Sequence, residues 1–386
     1  MKPALRVLAP GLMTTLQDLG RRGYQSLGIP VSGALDAVAL AAANALAGNP
    51  PGAGALEIAY HGPTLAVEAE SARLAFAGGA TAIEALRGER ASGATRLPPL
   101  QSVRLRQGEV LRVGGLSGSA VGYLAVEGGF DVAPALGSQS TYARAGLGGF
   151  AGRPLRAGDL LPLRQAHAKD RAESMFPALD LAPPQRIRVV LGPQDDHFTA
   201  RGRRTFLESI YTVSPASDRM GMRLEGATLE HSDGFNIASD GTAPGSVQVP
   251  GDGLPIILLA DRQTTGGYPK IATVIAADLP ATGRLAPGAR LAFVAVSVTE
   301  AEAAHRELAA RLEALPRQVV SARSQPALDE AVLLRANLVG GVVSAHDPPR
   351  QSRDVGGKLA PSRLGGFDVD RGEGDLGAGC HAAERR

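Results

Sequence analysis

Gly253-Leu-Pro-Ile-Ile-Leu-Leu-Ala-Asp261-Arg-Gln-Thr-Thr-Gly-Gly-Tyr-Pro269 sets an unbroken apolar run directly against a run of almost wholly polar residues. Pro255–Ala260 reads as a strand covered on both faces, because such a strand has no polar alternation to show. A hairpin connection needs only a few polar residues, so the segment after Ala260 carries more of them than a turn requires. The same layout occurs earlier. Gly122-Tyr-Leu-Ala-Val126 runs into Gly137-Ser-Gln-Ser-Thr141 and then Arg156-Ala-Gly-Asp-Leu-Leu161, just as the later segment runs into Ala286-Pro-Gly-Ala-Arg-Leu291. Each is a buried strand, a polar loop and a final strand after a glycine turn. Either a duplication or the shared habits of β-proteins would produce this pattern. The expectation is a mostly β chain of two related barrel-like halves with a few short helices.

Working outward, Arg6 to Gln17 reads as a strand broken by a Pro10-Gly11 turn. Short alternating strands are expected near Leu56–Tyr60, Thr64–Glu68, Arg73–Ala77, Val103–Arg106, Val110–Val113 and Ala120–Val126. Between them, Asp36 to Ala47 predicts a helix with Asp36 as N-cap and Gly48 as its left-handed end. No charge lies between Asp36 and Asn49, so that helix should be buried almost all round. A linker of mixed charge, Gln165 to Pro184, divides a first half (1–165) from a second (185–298). The second opens with the strand Ile187–Leu191 and a short helix near Thr205–Ile210. Residues 299–345 form a helical segment, opened by a capping box at Thr299–Glu302, carrying Leu308, Leu312 and Leu315 on one face and stopping at Pro316. Pro, Gly and mixed charge dominate 346–386, which reads as a disordered tail.

Forty-nine glycines and 27 prolines, about a fifth of the 386 residues, fit short strands joined by tight turns. A formal charge of +2 with scattered arginines argues against nucleic acid as a partner, because counterion displacement needs a concentrated basic face. No apolar run reaches membrane-spanning length, and Met1–Arg6 lacks a signal-peptide core, so a cytoplasmic protein without a membrane partner is expected. Cys380 is the single cysteine, which excludes a disulfide framework and a thiolate metal site; the seven histidines are isolated, so no metal site is expected. Neither a phosphate-binding P-loop nor a Gly-x-Ser-x-Gly elbow occurs. Gly146-Leu-Gly-Gly-Phe-Ala151 has no helix behind it and is discounted as a dinucleotide fingerprint.

Polar residues concentrate in four places. Gln17 and Asp18, with Arg21, either line a cavity or close a turn. Ser140 and Thr141, in the hydroxyl-rich loop Gly137–Thr141, either bind a ligand or cap their own backbone. In Ser217–Leu224, Arg219 and Arg223 can clamp an anion with Asp218 orienting one of them, or form a structural ion pair. The richest is Asp261–Lys270. Asp261, Asp218 and Gln263 are the candidate catalytic residues. Thr264, Thr265, Gly266, Gly267 and Tyr268, with Gln248 from the preceding strand, are candidates for binding a small polar substrate alongside Arg219, Arg223, Gln17, Asp18, Ser140 and Thr141.

These stretches together resemble a known family. The residues are Pro10-Gly-Leu-Met-Thr-Thr-Leu-Gln-Asp-Leu-Gly-Arg21, Ala43-Asn-Ala-Leu-Ala-Gly-Asn49 with Leu56-Glu57, Tyr123-Leu-Ala-Val-Glu-Gly-Gly129, Gly137–Thr141, Gly192-Pro-Gln-Asp-Asp196, Ser217-Asp-Arg-Met-Gly221 and Asp261–Pro269. The chain is similar to the 5-oxoprolinase C-subunit group of the biotin-dependent carboxyltransferase-like family, also called allophanate hydrolase subunit 2 or KipA-like. The match runs over residues 3 to 345. It implies two cyclophilin-like β-barrel halves and two partner chains, the KipI-like B subunit of 5-oxoprolinase plus its A subunit. It also implies ATP-dependent opening of the 5-oxoproline lactam, with ATP and Mg²⁺ in the assembled complex. Related domains in urea carboxylase transfer a carboxyl group from biotin to urea, and a non-catalytic KipA-type regulator that binds a kinase-inhibitory partner is a third reading. A lactam is a poor electrophile, so such a site needs groups for phosphate, a carboxylate base, and amides or hydroxyls to hold the ring.

Overall fold

The computed structural model describes residues 2–86 and 94–322. Strands Ala4–Ala9 and Met13–Gln17, either side of the Pro10-Gly11 turn, enter two different sheets. One sheet runs in the order Leu160–Pro162, Ala4–Ala9, Thr64–Val67, Val110–Val113, Ile83–Leu86, Ala94–Arg96. The other runs Met13–Gln17, Ala55–Ala59, Ser117–Val126, Ser71–Ala80, Ser102–Arg106. Leu5, Val7, Leu16, Leu56, Ile58, Leu65 and Leu124 belong to their shared core.

The second half closes on itself. Its barrel runs Arg186–Leu191, Lys270–Val274, Ser246–Gln248, Ile256–Leu258, Gly221–Glu225, Ile210–Val213, Arg290–Ala295, and the last strand returns to the first by parallel pairing. Ile187, Val189, Val247, Ile257, Ile271 and Phe293 fill it. Strand pairing therefore closes one seven-stranded barrel, while the first half is two sheets around one core. The halves nonetheless share a detail. Gly158 N–H donates to the Val7 carbonyl and Val7 N–H to the Asp159 carbonyl, both at 2.8 Å; Gly288 and Val213 N–H repeat this with Val213 and Ala289 at 2.8 and 2.9 Å. Both glycines are left-handed, at φ 88° and 83°. These are the glycine turns that precede the two matching final strands of the sequence pattern.

Helix α1, Ala37–Ala47, forms where expected. Asp36 Oδ1 accepts from Val38 and Ala39 N–H at 2.9 and 3.1 Å, and Gly48 ends the helix at φ 79°. Its alanines let it lie close to Ala75, Ala77 and Ala125 on the outer face of the five-stranded sheet, and Tyr123, Phe176 and Leu315 complete that third core. The linker is part of this packing: Arg171 Nη2 donates to the Leu46 and Ala47 carbonyls at the end of α1, a favourable place for a cation. Arg73, fully buried, binds Glu127 at 2.6 Å and Glu173 of the linker at 3.1 Å.

Three expectations shift. The short helix α2 is Ala200–Glu208, not Thr205–Ile210, because Thr199 Oγ1 caps Gly202 N–H at 2.9 Å and the β-branched Ile210-Tyr-Thr-Val213 pairs as a strand. A single turn, α3, spans Leu279–Thr282. Helix α4, Val298–Gln318, opens on Ser297 and Glu300 rather than Thr299 and Glu302. Both pairs have capping-box spacing, and the earlier one begins the helix sooner. Pro316 does not stop α4; it lies in the last turn, where losing its one N–H bond to Leu312 ends little that follows. Leu315 is buried and Leu308 and Leu312 pack beside it against α1, as the spacing requires. The tail 346–386 and the later part of 299–345 lie outside the described residues. Among those described, no helix is long and apolar enough to cross a membrane.

Candidate active site

A cleft of about 230 Å³ opens beside the barrel strands Gly221–Glu225, Ser246–Gln248 and Ile256–Leu258. Met220, Ile256 and Leu258 give it an apolar wall. Asp218, Arg223, Gln248, Gln263 and Tyr268 line it from the second half and Arg144 from the first. Five residues singled out in the sequence thus converge, drawn from three segments of the second half. The Asp218 carboxylate is held by its own turn: Oδ1 accepts from Met220 and Gly221 N–H at 2.8 and 3.2 Å, while Oδ2 meets Arg144 Nη2 at 3.3 Å. Gln263 Nε2 donates to Gln248 Oε1 at 3.1 Å, so the two amides are aligned side by side. The volume suits a small molecule of few heavy atoms rather than a whole nucleotide.

Asp261 and Arg219 lie behind this cleft, in the seam between the halves. Arg219 Nε and Nη2 donate to the two Asp261 oxygens at 2.8 and 3.2 Å, Nη1 to Glu57 Oε1, and Nη2 also to the Gly33 carbonyl at 2.7 Å. Glu57 Oε2 accepts from Tyr123 Oη at 2.5 Å and from Leu35 N–H at 2.9 Å. Burial alone would lower the Arg219 pKa, but the Glu57 and Asp261 charges outweigh it and hold the guanidinium firmly protonated. Beside this network Arg284 Nε binds Asp36 at 2.5 Å, joining the end of the barrel's α3 turn to the cap of α1. Sequence reasoning placed Glu57 and Tyr123 in family motifs and missed them as site residues. The available signal was a lone carboxylate in the otherwise apolar strand Ala55–Ala59.

Tyr123 is completely buried here. Burial above all, then the charges of Glu57 and Asp36, push its phenol well above its ordinary value. In the unfolded chain the phenol ionises near pH ~10. Its contribution to stability is therefore complete below about pH 10 and is lost as pH rises beyond it, since ionisation then favours the unfolded chain. In an alkaline titration, the phenolate signal missing from a Tyr123→Phe variant should appear only together with loss of tertiary circular dichroism. Ionisation of Tyr123 in a still-folded chain would contradict this placement.

The remaining candidates lie elsewhere. The Asp261–Pro269 segment is pinned rather than free: Thr265–Gly266 pairs with Asp240–Gly241, and Thr242 N–H donates to the Thr264 carbonyl at 3.0 Å. Gly266 comes so close to Gln248 that an added Cβ would sit 2.5 Å from Nε2, while Gly267 receives Ile237 N–H at its carbonyl. Gln17, Asp18, Ser140 and Thr141 are not brought to the cleft of Asp218. Asp18 accepts from Ser138 and Ser140 Oγ at 2.6 and 2.5 Å and from Gln139 N–H at 2.6 Å, and Gln17 Nε2 donates to the Thr141 carbonyl at 3.1 Å. They knit the hydroxyl-rich loop to the second strand, at the edge of a different cleft lined also by Asn49, Arg164 and Lys169.

Residues 27–295 match the family model described as carboxyltransferase domain, subdomain A and B. The chain belongs to that family. Among its relatives it is 38% identical over 303 residues to the 5-oxoprolinase C subunit of Escherichia coli, covering 78% of this chain and 94% of that protein. It is also 38% identical over 296 residues to the 5-oxoprolinase C subunit of Haemophilus influenzae, covering 76% and 91%. Urea amidolyase of Saccharomyces cerevisiae is 31% identical over 315 residues, which are 76% of this chain and 17% of that much longer protein. The crystal structure of Kluyveromyces lactis urea carboxylase superposes with a TM-score of 0.73 at 28% identity, over 82% of this chain and 29% of that one.

Proposed function

We propose that this chain is the C subunit of an ATP-dependent 5-oxoprolinase. With a KipI-like B subunit, plus an A subunit, it would hydrolyse the 5-oxoproline lactam to L-glutamate. The observation that carries the reading is near full-length identity, 38% over 94% of the Escherichia coli protein of that name. The small polar cleft fits it in kind, since a five-membered lactam is compact and offers one amide and one carboxylate. Paired amides at Gln248 and Gln263 can hold the ring amide, and Arg223 with Arg144 can hold anionic oxygens. The base is assigned to Asp218. Asp218 lines the cleft and is half exposed, whereas Asp261 is buried behind it against Arg219, which makes Asp261 a positioning residue.

Among the described residues no three His, Cys, Asp or Glu side chains gather as a metal cage. Mg²⁺ carried with a nucleotide needs only one or two protein carboxylates, its other ligands being phosphate oxygens and water. ATP, when bound, would supply the phosphoryl group that makes the lactam carbonyl electrophilic. Water can then add to that carbon, the ring C–N bond can break with the nitrogen taking a proton, and phosphate can leave from the opened acyl group. In this chain, Asp218 would take the proton of the attacking water while Arg144 and Arg223 hold the charge that develops.

A second reading, carboxyl transfer to a urea-like amide, is favoured by the likeness to urea carboxylase. No Met-Lys-Met carrier motif occurs among these residues, so biotin would be carried outside them. Combining this chain with its A and B partners should give oxoproline-dependent ADP release and glutamate, abolished when this chain is left out. Turnover that responds to urea and is blocked by avidin, with no response to oxoproline, would transfer the assignment to the second reading.

A further inference from the structure

Arg262 is completely buried, yet no carboxylate pairs with it among the described residues. A buried charge is ordinarily paired, because leaving water is otherwise too costly. Arg262 instead donates through Nη2 to Gln25 Oε1 at 3.1 Å and to the Thr242 carbonyl at 3.4 Å, while Nε and Nη1 have no partner among the described residues. Desolvation alone, unopposed by any anion, brings its pKa down to about 10. The Gln25 amide completes the arrangement by donating from Nε2 to the Thr242 carbonyl at 2.9 Å. A neutral planar amide thus lies where a guanidinium would normally hold a carboxylate.

The segment that carries Gln25 has two further unsatisfied groups. Arg21 Nη1 and Ser32 Oγ are both buried and without partners among the described residues. Ser32 N–H anchors the segment to the Ala260 carbonyl at 3.0 Å, at the start of the Asp261–Pro269 stretch. Between these anchors the tip is exposed: Leu27 is 72% accessible, and an added Cβ at Gly23 or Gly28 would meet nothing within 4 Å. The tip is therefore free to lift without breaking a packed core.

We propose that Arg262 is a buried oxyanion site covered by Gln25, and that it takes the carboxylate of a small carboxylic acid, which displaces the Gln25 amide. A carboxylate has the same planar shape as the amide it replaces and adds the missing charge, whereas tetrahedral phosphate matches only the charge. Resting on the oxoprolinase reading, the carboxylate is that of 5-oxoproline, held at the residue next to Gln263 of the amide-lined cleft.

The test is binding to the full chain, measured by calorimetry with L-5-oxoproline, its neutral carboxamide and inorganic phosphate as probes. Oxoproline should bind, and the carboxamide should bind at least roughly tenfold more weakly, the loss expected for one charged hydrogen-bonded contact. Arg262→Met should weaken oxoproline by a similar or larger factor. Gln25→Glu should do so as well, by placing an internal carboxylate on Arg262, and its melting temperature without ligand should equal or exceed that of the parent. Gln25 is on an exposed turn, so this variant still decides the question if Arg262→Met does not fold. Equal affinity for acid and carboxamide, or undiminished oxoproline binding by Gln25→Glu, would overturn the site. Binding that depends on Arg262 for phosphate but for no carboxylate would overturn the carboxylate assignment. If proline or another small carboxylate binds in an Arg262-dependent way while oxoproline does not, the site stands and the oxoprolinase reading fails.

Discussion

Arg219→Met should destabilise the protein by about 3–5 kcal/mol, the range for removing one partner of a buried ion pair. The variant leaves Glu57 and Asp261 in the seam, 3% and 7% exposed, without the guanidinium that bridges them. It also strips the Gly33 carbonyl of its donor. In a thermal melt this should read as a fall of roughly 5–10 °C, because each kcal/mol moves the midpoint of a chain this large by about 2 °C or slightly less. Adding Glu57→Gln and Asp261→Asn to Arg219→Met should recover part of the loss, since neutral amides tolerate the seam better than unpaired charges. A melting temperature within a degree of the parent would show that Arg219 does not hold the halves together.

Asp218→Asn should lower turnover of the assembled complex by roughly a hundredfold or more, the usual loss when a general base is removed. Its melting temperature should stay near that of the parent. Asparagine keeps the Oδ1 that accepts from Met220 and Gly221, and the surrendered ion pair to Arg144 is more than half exposed on both sides. Exposed pairs of this kind contribute little to stability. Asp261→Asn makes the contrast. It removes charge from a buried pair, so it should melt earlier and lose activity only as far as Arg219 and its neighbours move. Near-normal turnover in Asp218→Asn, beside a collapse in Asp261→Asn at unchanged melting temperature, would return the base to Asp261.

Much of the fold was legible because the signals were local. The caps of α1, the Pro10-Gly11 break and the glycine turns at Gly158 and Gly288 each depend on residues within one turn of one another. Boundaries slipped where two local signals competed, as with the two overlapping capping boxes at the start of α4. The polar loops were legible as places but not as contacts. Asp261 and Asp218 look alike in sequence; only the fold puts Arg219 against one and leaves the other facing a cleft. Glu57 meets Arg219 across 162 positions, a pairing that no window along the chain can contain. Arg144 lies beside a glycine-rich stretch that has no helix behind it, and its position next to Asp218 follows from tertiary packing alone.

Helix α1 has no face suited to water, and part of its cover, α4, begins 251 residues after α1 ends (298 − 47). At roughly 5–20 residues per second, synthesis leaves some 10–50 s between the two. Throughout that interval the nascent first half carries a greasy alanine–leucine ridge with part of its cover not yet synthesised. The growing chain is thus a natural client for a holding chaperone, and stop codons anywhere between the barrel and α4 should yield inclusion bodies even though both β cores are already encoded.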